Sequence, residues 1–223
     1  MKRTALKDRP LPTYTVGEER FHTVSHIVGG GFGVLVLVGC VLRAALNGDV
    51  WGGVSGAVYG STLVLLYTVS SVYHGLSPSI GKRVLQVLDH CVIYALIAGT
   101  YTPIVLGPIR RYSPGWGWAL FGLVWGLALL SATFTAIDLK KYAVLSMVCY
   151  IGMGWCIVVA AKPFIASVSV AGVWWIFLGG VAYTVGAVLY GWGRTKRWMH
   201  AAFHTMVVVG SVLQAVGIFF HVL

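Results

Sequence analysis

Asp89 is the only acidic residue within any apolar stretch of this 223-residue chain. Histidines stand at matching depth in two other stretches: His74 closes one, and His200 and His204 open another. Ionisable side chains are costly inside a bilayer and mark functional sites there. His200 and His204 are four residues apart, so on a helix both imidazoles project from one face. Ser70 and His74 share that spacing. Neutral imidazole is a common zinc ligand, and a catalytic zinc keeps three protein ligands plus a water. His74, His200 and His204 meet that count. Asp89 is placed either to complete the coordination sphere or to hydrogen-bond the metal-bound water and take its proton as general base. Ser70, one turn deeper than His74, is placed to donate to a developing oxyanion. Imidazole also suits iron, copper and nickel, so ligand type alone leaves the metal open.

The elements that must hold these residues are membrane helices. The chain is 58% hydrophobic and 10% charged, with a mean hydropathy of +0.83. Soluble domains carry about 25% charged residues. A window of about 20 apolar residues predicts seven spans: Ile27–Leu46, Val50–Tyr73, Val84–Leu106, Trp116–Ala136, Tyr142–Ala161, Val170–Trp192 and Met199–Val222. Asn47-Gly48-Asp49, Ser77-Pro78-Ser79, Ser113-Pro114-Gly115 and Lys162-Pro163 mark turns between them. The expected organisation is all-α: an N-terminal segment over residues 1–26 and a seven-helix membrane domain over residues 27–223. The N-terminal segment lacks the apolar core and cleavage site of a signal peptide, so the first span is expected to remain in the mature protein. Cys40, Cys91, Cys149 and Cys156 all fall in apolar runs without a CxxC pair and read as core residues, not a disulfide framework.

Basic residues set the expected orientation. With the N-terminus in the cytoplasm, that side holds Lys2, Arg3, Lys7, Arg9, Arg20, Lys82, Arg83, Lys140, Lys141, Arg194, Lys196 and Arg197. The other side holds only Arg43, Arg110, Arg111 and Lys162. This positive-inside bias puts the C-terminus outside. It also accounts for the net charge of +10 without a nucleic acid partner. Asp89 then lies six residues past Arg83, about 9 Å deeper, and His200 and His204 lie about 4 to 10 Å past Arg197. With His74 they share one depth near the inner face.

Other polar residues read as architecture. Glu18, His22 and His26 repeat every four residues at the entry to the first span. For His22 the expectation is a charged, amphipathic entry with the glutamates supporting the helix dipole. His26 is deeper and suits an inward role. His90 points about 100° away from Asp89 and is placed to bridge to another helix. Gly29, Gly30, Gly31 and Gly33 permit close helix packing. Pro103 is expected to kink the third span or mark its end. Trp116, Trp118, Trp174 and Trp175 form an interfacial belt.

Several of these segments together resemble the hemolysin III family. They are Glu18-Glu19 followed by Ser25-His26, Ser70-Ser71-Val72-Tyr73-His74, Leu88-Asp89-His90-Cys91-Val92-Ile93-Tyr94, Ala98-Gly99-Thr100-Tyr101-Thr102-Pro103, and His200-Ala201-Ala202-Phe203-His204. That family belongs to the superfamily of progestin and adiponectin receptors and is related to alkaline ceramidases. The resemblance implies seven helices with a cytoplasmic N-terminus. It implies zinc held by His74, His200 and His204, with Asp89 and Ser70 close to the zinc-bound water. Gln214 departs from relatives that carry a histidine there. About 15 Å past His204, it is not expected to touch the metal. The chain lacks the long N-terminal region of the animal receptors, so a hormone-receptor role is not carried over and a bacterial origin is expected.

Three functions follow as expectations. The first is a zinc-dependent intramembrane hydrolase of a lipid amide or ester, with Asp89 as base and Ser70 as oxyanion donor, acting in membrane lipid and fluidity homeostasis. The second is a non-enzymatic lipid sensor or receptor-like protein in which zinc braces the helices. An open coordination sphere favours the first and a closed one the second. The third, drawn from the family name, is a pore-forming cytolysin. A pore needs a polar lining along its length, which these helices lack. Membrane lipid is the expected partner, and the cell membrane the expected location.

Overall fold

The computed structural model describes residues 4–223; Lys2 and Arg3 of the predicted inner-side basic set lie outside them. Among the described residues, seven helices are long and apolar enough to cross a membrane: α1 Val16–Leu46, α2 Val50–Gly75, α3 Ile80–Tyr112, α4 Pro114–Ile137, α5 Ala143–Ser167, α6 Val170–Trp192 and α7 Met199–His221. No strand occurs among the described residues. In hydrocarbon every backbone polar group must be satisfied within the protein, which a helix does by itself. The seven expected spans are thus all present, and α3 is the central one, buried along most of its length. It packs on α2 and α4, while α1 lies against α2 and α7, and α6 against α7.

The helix ends differ most from expectation at α1. It begins at Val16, eleven residues before Ile27. The cause is a capping box. Thr15 Oγ1 accepts from the Glu18 backbone N–H, and the Glu18 carboxylate accepts from the Thr15 N–H at 2.9 Å. Two orphan donors are satisfied reciprocally, so the helix starts in polar sequence that a hydropathy window excludes. Glu18 also accepts from Trp198 N at 2.7 Å, which fixes the turn into α7, where Trp198 takes a left-handed φ of 64°. Lys162-Pro163 is not a turn. The chain passes through a 3₁₀ segment, Cys156–Ala160, and resumes as helix over Ala161–Ser167. Proline near the start of that piece removes only an N–H that had no helical partner. In α3 the irregularity lies beyond Pro103, in a π-type turn over Val105–Ile109 with non-helical dihedrals at Gly107 and Pro108 following it.

Of the four glycines expected to permit close packing, Gly29 and Gly33 make the close approach. A Cβ at Gly29 would meet the Tyr67 ring and one at Gly33 the Val64 backbone, while Gly31 faces open space. The closest approach to a neighbouring backbone is at Gly60 of α2, where a Cβ would overlap the Leu37 backbone of α1. Gly60→Val should therefore separate α1 from α2 and cost about 1–3 kcal/mol. Thermal unfolding in detergent checks this, with Gly31→Val as the neutral control.

A strap precedes α1 and crosses the same end of the bundle. Thr4 N–H donates to the Asp138 carboxylate at 3.1 Å. Arg9, only 6% exposed, donates to Ile137 O at 2.9 Å and accepts from Arg83 Nε through its own carbonyl at 3.0 Å. Backbone N–H groups of Thr4 and Lys141 hold the Asp138 carboxyl down to about 2, well below its ordinary value. The strap carries Tyr14 over the histidines described next.

Candidate metal centre

His22, His74, His200 and His204 converge at the strap end of the bundle. Their ligand nitrogens all lie within 4.8 Å of one another, and all four side chains are buried. α1 supplies the first ring, α2 the second and α7 the last two. The six ring-to-ring separations run from 4.6 to 5.5 Å. Nearly equal separations among four objects describe a tetrahedron. Four imidazoles around an ion with bonds of about 2.0–2.1 Å would place their centroids about 5 Å apart.

The hydrogen-bond inventory makes the same point. His200 Nε2 faces His204 Nε2 at 3.2 Å. Two ligand nitrogens of one tetrahedral ion sit about 3.4 Å apart. Both nitrogens of His22, Nε2 of His74 and Nδ1 of His204 are buried without partners. Unpartnered buried polar atoms are rare in folded proteins and call for an explanation. A cation bound by one nitrogen of each ring would account for His74 Nε2 and for one nitrogen of His22, and borderline metals accept neutral imidazole. The residues present fit a metal ion.

The surrounding groups orient the rings. His74 Nδ1 lies 2.6 Å from Glu19 Oε2. Glu19 Oε1 in turn accepts from Lys82 Nζ at 2.7 Å, and Lys82 also donates to Leu76 O at 2.8 Å. A carboxylate on the far nitrogen of a ligating histidine fixes its tautomer and raises its basicity. His74 is thereby left with Nε2 as the lone-pair nitrogen. Tyr14 caps the cluster, its ring stacked on His200 at 4.9 Å and 19°. Burial, then Tyr190, Glu19 and Asp89, push the Tyr14 phenol above its ordinary value, so it stays protonated and can donate.

A cavity of about 810 Å³ runs from the strap past the cluster into the bundle. Asp89 and Ser70 both line it, as do His200 and His26. Ser70 is buried and Asp89 half-buried. Asp89 is not among the clustered ligands. His26 is 2% exposed, lies against His204 with centroids 3.9 Å apart and the rings tilted by 30°, and has no hydrogen-bond partner on either nitrogen. His90 bridges α3 to α6: Nδ1 lies 2.8 Å from Gln86 O and Nε2 3.1 Å from Tyr190 Oη.

The structure thus gathers His74, His200 and His204 and places Asp89 and Ser70 on the adjoining wall. It corrects the reading of His22 as a charged helix entry: the ring is 0% exposed and points among the other three. Sequence reasoning gave Glu19 only a helix-dipole role and passed over Tyr14. The i,i+4 repeat of Glu18, His22 and His26 was the available signal. It lost force because the first helix was begun at Ile27, which left those residues in a tail.

A seven-helix membrane protein with a buried histidine cluster able to hold a metal ion is the class that fold and site define. The chain belongs to the haemolysin-III-related family, whose model matches residues 14–215. It is similar to a hemolysin-3 homolog of Bacillus subtilis, 36% identical over 93% of this chain and 96% of the relative. It is also similar to hemolysin-3 of Bacillus cereus, 33% identical over 95% of this chain and 94% of the relative. A more distant likeness, 26% identical over 81% of this chain and 75% of the relative, is to the human monocyte to macrophage differentiation factor. Family and helices together make this a multi-pass protein of the cell membrane.

Proposed function

We propose that this protein is a zinc-dependent hydrolase acting within the membrane on a lipid amide or ester, with a role in membrane lipid homeostasis. One observation carries the reading: a single cavity touches the histidine cluster at His200, carries Asp89 and Ser70 on its wall, and continues between apolar side chains such as Ile93, Leu96 and Val207. A ligand with a polar head and an apolar chain suits that gradient. His74, His200 and His204 would hold the ion. Bound zinc supplies Lewis acidity toward a carbonyl and a water acidic near neutral pH. Asp89 takes a proton on its carboxylate as general base. Ser70 donates its hydroxyl to the oxyanion that develops on the substrate carbonyl. The basic residues clustered with the strap support placing the site at the cytoplasmic face.

A second reading is favoured by His22. Four imidazoles can fill a tetrahedral sphere, and closed spheres are structural. In that case the ion braces α1, α2 and α7 of a lipid-binding protein without turnover. The two separate in one experiment. Purified protein is assayed for fatty acid release from lipid amides and esters, with chelation and zinc restoration, alongside His22→Ala. A hydrolase releases product only when loaded, and His22→Ala keeps both zinc and turnover on three histidines. A brace gives no product from any lipid, and His22→Ala loses zinc together with thermal stability.

A further inference from the structure

The cavity wall carries a carboxamide that the proposed chemistry does not use. Gln214 lies on the cavity wall and is 7% exposed. Its Nε2 donates to Ile176 O at 3.1 Å, and Oε1 has no partner. Only the nitrogen can donate, so the bond to Ile176 fixes the amide and leaves an acceptor over. Gly179 makes room for this side chain: a Cβ there would sit 2.6 Å from Gln214 Cγ. Thr100, Tyr101 and Tyr183 on the same wall are engaged. Thr100 donates to Leu96 O, Tyr101 to Gly154 O, and Tyr183 is paired with Ser211. A water beside Oε1 would need two to four polar partners to be held. An unpaired buried acceptor costs about 1–3 kcal/mol until something donates to it.

Position says what that donor is. His200, Val207 and Gln214 recur every seven residues on α7 and all line the cavity, so they share a face. Fourteen residues separate His200 from Gln214, about 21 Å along the helix. One leaflet of acyl chain spans about 15 Å, half of the hydrocarbon core. Gln214 thus lies past that depth, where only the last carbons of a long, extended chain reach when the lipid carbonyl sits at the histidines. We propose that Gln214 is a specificity residue that accepts a hydrogen bond from a hydroxyl near the far end of the lipid chain, which makes terminally hydroxylated long-chain acyl lipids the preferred ligands. This rests on the lipid reading of the cavity but not on catalysis.

The test is competition binding on the zinc-loaded, full-length protein in detergent, with palmitic acid and 16-hydroxypalmitic acid displacing labelled palmitate. Wild-type protein is expected to bind the hydroxylated acid about tenfold more tightly, the worth of one good hydrogen bond to a buried acceptor. In Gln214→Leu and Gln214→Met the preference should vanish, with palmitate bound as well as before. Equal affinities in wild-type protein overturn the proposal while leaving the lipid cavity standing, and need no variant to interpret. A preference that survives both substitutions also overturns it. If neither acid binds, the proposal and the lipid reading fall together.

Discussion

Asp89→Asn is expected to retain the metal and lose about 10²–10⁴-fold in product formation. The side chain lies on the cavity wall and outside the four-histidine group, so its removal takes no nitrogen from the ion. Asparagine keeps the volume and can still hydrogen-bond, but it cannot take up a proton. The loss should therefore fall on turnover and spare substrate affinity, the pattern of an interaction made only in the transition state. His204→Ala is the opposite case. It removes the ring whose Nε2 lies 3.2 Å from that of His200, and metal content should drop with activity. Metal analysis and product release on the two variants together decide the matter. Full turnover by Asp89→Asn refutes the general-base role. Loss of metal from it shows that Asp89 holds the ion after all.

How much of this was legible in the sequence depends on whether the signal was apolar periodicity or a local polar contact. The seven spans stand out because hydrocarbon permits little else. His74, His200 and His204 are readable because i,i+4 spacing and a common depth survive without coordinates. His22 was not. Its helix begins in polar sequence through the Thr15–Glu18 box, and a hydropathy window cannot see a cap. Glu19 was hidden for a different reason: its partners are 55 and 63 residues away, on α2 and α3. The turn expected at Lys162-Pro163 failed because proline punctuates a helix start as readily as a loop. The strap was likewise out of reach, since Thr4 and Asp138 meet only in the fold.

Glu19 offers the sharpest test of how the cluster is held, because its two oxygens do separate things. Oε2 orients His74 and Oε1 neutralises Lys82. Lys82 is 4% exposed. Glu19→Ala should destabilise the fold by about 3–5 kcal/mol, the usual cost of leaving a buried charge without its partner. It should also weaken metal binding by about 10–100-fold through loss of the His74 tautomer lock. Lys82→Met, added to Glu19→Ala, removes the stranded ammonium. Thermal stability is then expected to recover while metal affinity stays low. Two outcomes would contradict this division. If metal affinity recovers with stability, Glu19 acts on the cluster only through the fold. If stability fails to recover, the buried ammonium was not the source of the loss, and the His74 contact must hold α1 to α2 directly.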